Sequence, residues 1–532
     1  MSNTSSHQFS SLRSFFWPVH RHEAHKLIPM MLILLLICFA YNILRPLKDA
    51  IVVTTSGAEA IPFLKVWGIL PGALITTLLF TKLSNRFSQE YVFYIITSGF
   101  LFCFALFAFV LYPAREALHL DLLADRLQLI LPIGAKGFVA MVRHWSFSFF
   151  YILAELWGSA VMSVLFWGFA NEVMRLHEAR RFYGLLGIAA NFSALIAGGV
   201  GAFCSQGELF NPRLPFGHNG WEQTLMLETM IVIGSGIATM AIFRWMNLSM
   251  LAAPTYKQLH SAIKQRPKKC KLSLKESLSF LSRSRYLACI AILVIAYNLT
   301  MNLVEVVWKD QLSRLYPSAA DYNVYMNHLI TVGGIISTPA AFFVSAMINR
   351  LGWTATALAM PLVMLVTCTG FFAFLFLQDS LSDSVITFTG ITPLAIAVYF
   401  GAAQNALSRA AKYTVFDATK EMTFIPLDHE TKLKGKAAID GVGSRFGKSG
   451  GALIHQSLLM FFTTLSASVP YVAAILFVII VVWIAAARLL GKQFSELALK
   501  EESNLPSTAP QQDKGREAVL SSQGMACLGS VQ

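Results

Sequence analysis

The sequence predicts an all-α membrane protein whose spanning helices form two halves of six. Three observations carry this. Of the 532 residues, 55% are hydrophobic and 13% charged, with a mean hydropathy of +0.57, whereas a soluble domain carries about 25% charged residues. Apolar windows of about 20 residues, the length that crosses a bilayer, recur twelve times along the chain. The basic residues behind the net charge of +13 sit between those windows, where they set topology and do not form a nucleic-acid face.

The windows lie near 27–46, 61–81, 91–112, 147–171, 183–204 and 225–246, then 287–306, 327–348, 355–377, 386–408, 436–464 and 471–490. Polar residues interrupt the fourth and eleventh. A basic segment, Arg13 to Lys26, precedes the first window with no small-residue cleavage site after it, so it reads as a span and not as a removed signal peptide. Lys82 and Arg86, then Arg175, Arg180 and Arg181, then Arg350, then Arg409, Lys412, Lys420, Lys432 and Lys434 occupy the even-numbered loops. Ten Lys/Arg lie between Arg244 and Arg285 against one acid, Glu276. The positive-inside rule then puts both termini and the central loop in the cytoplasm. The expected organisation is a cytoplasmic N-terminus (1–26), a six-helix half (27–246), a basic loop (247–286), a second half (287–490) and a disordered cytoplasmic tail (491–532) rich in Ser, Gln and Gly.

Short strings repeat between the halves. Ala40-Tyr41-Asn42-Ile43 recurs as Ala296-Tyr297-Asn298-Leu299, and Asn85-Arg86 as Asn349-Arg350. His177-Glu178 with Gly198-Gly199 recurs as His429-Glu430 with Gly450-Gly451. The order is kept at a nearly constant offset, as expected for duplicated halves of a major-facilitator-like transporter, whose substrate binds between them near mid-membrane.

Ionisable groups inside spans cost at least about 2.5–3.5 kcal/mol on insertion scales and persist where they face a cavity or a partner. Lys48, Glu155, Glu305, Asp440, Arg445 and Lys448 all lie within or at the lip of a window. On the seventh span Asn298, Asn302, Glu305 and Lys309 fall at i, i+4, i+7 and i+11, one helical face. It reads as a cavity wall with Glu305 coupling or gating, or as polar packing between helices, and the burial cost favours the first. On the fourth span Tyr151, Glu155, Ser159 and Ser163 repeat every four residues; Glu155 can balance a cation, report occupancy or exchange a proton, Tyr151 is one of several aromatics able to stack on a base, and the serines suit close packing. On the first, Tyr41, Arg45 and Lys48 align beside Pro46, and two cations on one face suit phosphate, with snorkelling to headgroups as the alternative. Asp49 reads as a pairing partner for one of them.

The eleventh segment reads KGKAAIDGVGSRFGKSGG, with Asp440, Ser444 and Lys448 on one face. Gly447-Lys448-Ser449 fails as a phosphate loop because Val442 stands where its first glycine is required and no strand precedes it. The glycine density lets a helix or ligand approach the backbone, Lys448 with Arg445 suits an anion, and Asp440 suits pairing with Lys448. The seven cysteines are scattered singly, which suggests neither zinc nor a disulfide framework. No nucleophile–base or metal-ligand arrangement emerges, so no enzyme and no cofactor is expected.

Several long segments resemble the ATP/ADP translocases of plastids and obligate intracellular bacteria: AYNILRPLKDAIVV (40–53), IPFLKVW (61–67), AELWGSAVMSVLFWGFANEV (154–173), NLVEVVWK (302–309), AAKYTVFDATKEMTFIPLD (410–428) and the eleventh segment itself. With no transit peptide the chain is most similar to the bacterial, chlamydial branch. The resemblance implies exchange of host ATP for bacterial ADP plus phosphate by alternating access, in a multi-pass inner membrane. It carries the family's motif residues onto Lys48, Glu155, Glu305 and Lys448, with Pro46 and Arg445 as departures. A proton-coupled importer of several nucleotides or NAD is the rival within the family, and a channel the rival outside it. ATP, ADP, phosphate and the lipid bilayer are the expected partners, with no nucleic acid, and a monomer follows by analogy of fold alone.

Overall fold

The computed structural model describes residues 19–174, 176–206, 212–251, 284–439 and 444–504. Among them the long helices are α1 (Arg21–Ser56), α2 (Ala60–Arg86), α3 (Gln89–Leu111), α4 (Trp145–Asn171), α5 (Leu176–Cys204) and α6 (Gly220–Met246). The second set begins with α7 (Arg285–Leu315). It continues with the run Ala319–Phe376, which divides at Gly352 into α8 (319–351) and α9 (353–376). It ends with α10 (Pro393–Ala411), α11 (Ser444–Phe462) and α12 (Leu465–Asn504). Gly352 has φ +79°, a region open to glycine at no steric cost, and this single residue turns α8 into α9. Glycine serves the same way at Gly57 (φ +80°), between α1 and α2.

Each predicted window holds a helix, and nine of the described helices are long and apolar enough to cross a membrane. The other three are α8, α10 and α11. Gln404, Asn405 and Arg409 lower the hydropathy of α10, and Lys448, His455 and Gln456 that of α11. Some boundaries differ from expectation. Residues 440–443 lie outside the described residues; on either side of them the window at 436–464 holds the end of a helix at Ala438 and α11 from Ser444. α12 continues through Asn504, beyond the boundary expected at 490, and α1 outruns its window at both ends without breaking at Pro29 or Pro46.

Apolar side chains collect in two cores. One is built from α1–α6, around Phe104, Phe150, Trp157 and Phe166. The other is built from α7–α12, around Trp308, Met364, Phe371 and Trp483, and it also takes in Ala50, Val53, Ile61 and Phe63 from the α1–α2 corner. The halves therefore join most closely at the end where α1 passes into α2. There Gln456 donates its amide to the Pro62 carbonyl (2.9 Å) and the Leu465 N–H donates to Glu59 (2.9 Å). Along the α5–α8 contact, a Cβ on Gly198 would lie 2.2 Å from Thr331 Oγ1 and one on Gly201 2.3 Å from Asn327 Oδ1, so only glycine permits the approach. At the opposite end Lys26–Glu178 (2.6 Å), Arg244–Glu90 (2.9 Å) and Lys436–Glu421 each join elements of the same half.

Candidate functional site

The unusual charges of α1, α2, α4, α7 and α10 converge between the two cores. α1 supplies Lys48 and Asp49, about 12 Å before its end at 1.5 Å per residue. Lys48 Nζ lies 2.9 Å from Asp49, 3.3 Å from Glu155 on α4, and 3.8 Å above the ring centre of Tyr151. Asp49 uses its second oxygen to hold Lys309 of α7 (2.8 Å), and Lys309 also meets Glu305 one turn earlier (3.0 Å). From α2, Lys65 reaches across to Asn302 (2.6 Å) and Glu305 (3.2 Å). Arg409, in the last turn of α10, stands 3.9 Å from Glu305. Arg45 is one turn before Lys48 and within Coulombic range of Glu155, Glu305 and Asp49.

This centre has two layers. Lys48, Asp49 and Lys309 are sealed, with side chains 3%, 1% and 2% exposed. Glu155, Glu305, Lys65 and Arg409 are reached by solvent at 34%, 19%, 17% and 28%. Five cations (Arg45, Lys48, Lys65, Lys309 and Arg409) face three acids (Asp49, Glu155 and Glu305), so the centre is net positive and its rim is open to a solute. Two of the ion pairs, Lys309–Asp49 and Lys65–Glu305, run from one half to the other.

Local helix geometry aims these groups. Lys65 lies in a widened π turn, Leu64–Ile69, Glu155 stands just before another at Gly158–Phe166, and a third at Lys412–Phe416 follows Arg409. Such turns are inserted at functional sites more often than elsewhere; each shifts the register of the side chains around it. α11 comes close to α7 because Gly447 and Gly451 face Asn298 and Asn302. A Cβ at either position would fall 2.6 or 2.7 Å from the asparagine Cβ.

Of the residues singled out in the sequence, the structure brings together Lys48, Glu155, Glu305, Lys309, Arg45, Asn302 and Tyr151. Tyr151 is buried beneath Lys48, so in this conformation its ring meets a cation and not a base. Asn298 bonds back to its own helix at the Val294 carbonyl (2.8 Å) and packs on α11; that end of the polar face is packing, and the charges meet at the Glu305 end. Lys448 and Arg445 are placed on α11 by their backbones, but their side chains lie outside the described residues, as does all of Asp440. The sequence assigned no site role to Lys65, which stood only within the segment 61–67, or to Arg409, counted as a loop charge. Asp49 does pair with an α1 cation, Lys48, and it also bridges to Lys309 on α7.

Comparison with known proteins agrees with this picture. The TLC ATP/ADP transporter family matches residues 2–494. The chain is 45% identical to ADP,ATP carrier protein 1 of Chlamydia pneumoniae, over 94% of this chain and 98% of that protein. It is 40% identical to ADP,ATP carrier protein 1 of Rickettsia bellii (94% and 100%) and 42% identical to the chloroplastic ADP,ATP carrier protein 1 of Arabidopsis thaliana (90% and 75%). Among solved structures, a D-xylose-proton symporter aligns at a TM-score of 0.51 with 13% identity, over 88% of this chain and 96% of that one, and supports the fold alone. The chain is a multi-pass membrane transporter and belongs to the TLC ATP/ADP transporter family.

Proposed function

We propose that this protein exchanges external ATP for internal ADP by alternating access, with the centre between the halves as the nucleotide site. The observation that carries the reading is the pair of cross-half ion pairs in a net-positive centre. Nucleotide phosphates are the anions that such a centre suits: Arg offers a planar fork and Lys a point charge. A bound triphosphate competes with Asp49, Glu155 and Glu305 for the same cations. Once the cations turn to the phosphate, Lys309–Asp49 and Lys65–Glu305 no longer tie the halves, and the bundle is free to rock.

Exchange follows from the same electrostatics. When nucleotide leaves, the acids take the cations back. At an effective dielectric constant of about 20 a pair 4 Å apart attracts by about 4 kcal/mol, so the two cross-half pairs hold the empty carrier in place. A second nucleotide is then needed for the return. Lys448 completes the centre by resemblance, and inorganic phosphate is a candidate companion of ADP for the same chemical reason. With the loops oriented by their basic residues, the α1–α2 end faces outward, and the cross-half contacts at that end support an inward-facing state in the bacterial inner membrane.

Purified protein in vesicles tests this. Vesicles loaded with ADP take up labelled ATP at least tenfold faster than empty ones at matched pH inside and out. Equal rates would exclude exchange, and uptake driven by an acid exterior would instead establish proton symport.

A further inference from the structure

A second acid joins the halves without any cation. Glu228 lies on α6, two turns inside its start at the α1–α2 end, and is completely buried. Its Oε1 meets Ser205 Oγ at the end of α5 (3.1 Å) and accepts from Asn323 Nδ2 on α8 (2.9 Å). Asn323 also donates to Ser205 (2.8 Å). One acid and one amide thus link α5 and α6 of the first half to α8 of the second.

The hydrogen-bond inventory fits a carboxylic acid and not a carboxylate. An ionised carboxylate offers acceptor sites on both oxygens, yet Glu228 Oε2 has no partner, and neither has Asn323 Oδ1. Ser205 has one hydroxyl proton, and the Gly201 carbonyl, at 2.7 Å, is the nearer acceptor for it. A proton on Glu228 Oε1 then completes the bond to Ser205. The charged groups around it are engaged elsewhere. On α6 itself Glu222 is held by Arg115 (2.9 Å), on α1 Lys48 and Asp49 hold each other, and on α3 Glu90 pairs with Arg244 at the far end. On α8 Asp321 and His328 are exposed, and on α5 the nearby titratable group is the Cys204 thiol. None of these charged groups acts on Glu228. A buried carboxylate without a cation is strongly disfavoured.

We propose that Glu228 is a proton-binding site between the halves, protonated while the α1–α2 end is shut and deprotonated when that end opens. Opening parts Asn323 from Ser205 and admits water. The O–H bond of Glu228 breaks, its proton passes to water on that face, and the carboxylate gains solvation. Closing takes a proton back from the same face. Acid on that side therefore holds the end shut, and alkali favours its opening, whether or not nucleotide is the cargo. The proposal rests on the alternating-access reading but not on the identity of the substrate.

Two measurements test it on the full-length protein in lipid nanodiscs. Infrared spectra contain the carbonyl band of a protonated buried carboxyl group that shifts in deuterium oxide, fades as pH rises, and is missing from Glu228→Gln. Spin labels at the exposed positions Leu129 and Phe388, in a background with the seven native cysteines replaced, report the separation of the halves. The longer-distance population grows several-fold from acid to alkaline pH in the Glu228 protein. It stays small at every pH in Glu228→Gln, whose amide keeps the neutral contact. A spectrum unchanged by Glu228→Gln, or the same pH-dependent separation in both proteins, overturns the proposal. Loss of ATP exchange with these two results intact would overturn the nucleotide reading and leave the proton site standing.

Discussion

The centre built on Asp49 and the contact built on Glu228 both tie one half of the molecule to the other, but with different chemistry. At the centre every acid has at least one cation within 4 Å, and the cations outnumber the acids. At the Glu228 contact the acid has only amide and hydroxyl neighbours. Charge in the first can be rearranged by an incoming anion, because the Lys and Arg side chains exchange one oxygen partner for another. Charge in the second changes only with a proton. In the two proposals, substrate and proton thus address the same motion at separate places.

The largest expected effect is at the sealed layer of the centre. Removing one partner of a buried ion pair costs about 3–5 kcal/mol, or roughly two to three and a half decades at 1.4 kcal/mol per decade. Lys48→Ala or Lys309→Ala should therefore lower ATP uptake at least about 100-fold while the protein remains in the membrane, checked by labelled uptake and immunoblotting of the same membranes. Uptake within threefold of normal would reduce the centre to a structural ion pair. Lys448→Ala is expected to behave likewise.

A smaller loss is expected where packing alone is disturbed. Gly451→Leu places side-chain carbon where Asn302 already stands. Overpacking of this kind costs about 1–3 kcal/mol, so uptake should fall about tenfold, with a lower thermal midpoint by fluorescence-detected unfolding. Unchanged stability would mean that α11 does not press on α7. At the open rim, Lys65→Ala removes a partly exposed cation and should raise the KM for ATP about three- to tenfold with little change in maximal rate. A change confined to the maximal rate would mean that Lys65 acts only through its tie to Glu305 and not on the nucleotide.

The least effect belongs to a pH response outside the spans. His144, just before α4, shares a hydrogen bond with Ser56 (2.8 Å) and meets His119 edge-on. Burial first, and then the neighbouring His119 and Arg143, push its imidazole down to about 4. The unfolded chain binds a proton near pH 6.5 and the folded protein does not. Stability from this site is complete above that value and is lost as pH falls from about 6.5 to about 4. A thermal midpoint that drops modestly over this window, and less so in His144→Gln, would bear this out; an unchanged profile would not.

The sequence made the fold and half of the centre readable for a common reason. Apolar windows and a polar face at i, i+4, i+7 and i+11 are local patterns, and Asn302, Glu305 and Lys309 needed only helical periodicity to be placed together. Lys65, Asp49 and Arg409 depend on distant partners. Lys65 is 240 positions from Glu305 and sits in a π turn that no simple periodicity anticipates. Asp49 follows Lys48 directly, which hides its reach to α7. Glu228 gave no signal at all, since an acid near a span end is unremarkable until the structure shows that no cation accompanies it.

In the proposed mechanism, cation–acid pairs across the halves immobilise the empty carrier and thereby enforce exchange. This is tested most directly by comparing ATP uptake into ADP-loaded and empty vesicles for the natural protein and for Asp49→Asn/Lys309→Met, which removes one cross-half pair without leaving a lone charge. The expected result is at least a tenfold advantage for loaded vesicles with the natural protein, collapsing toward equality in the double variant as the empty carrier gains the ability to return. A double variant that still transports and keeps the full advantage would contradict it.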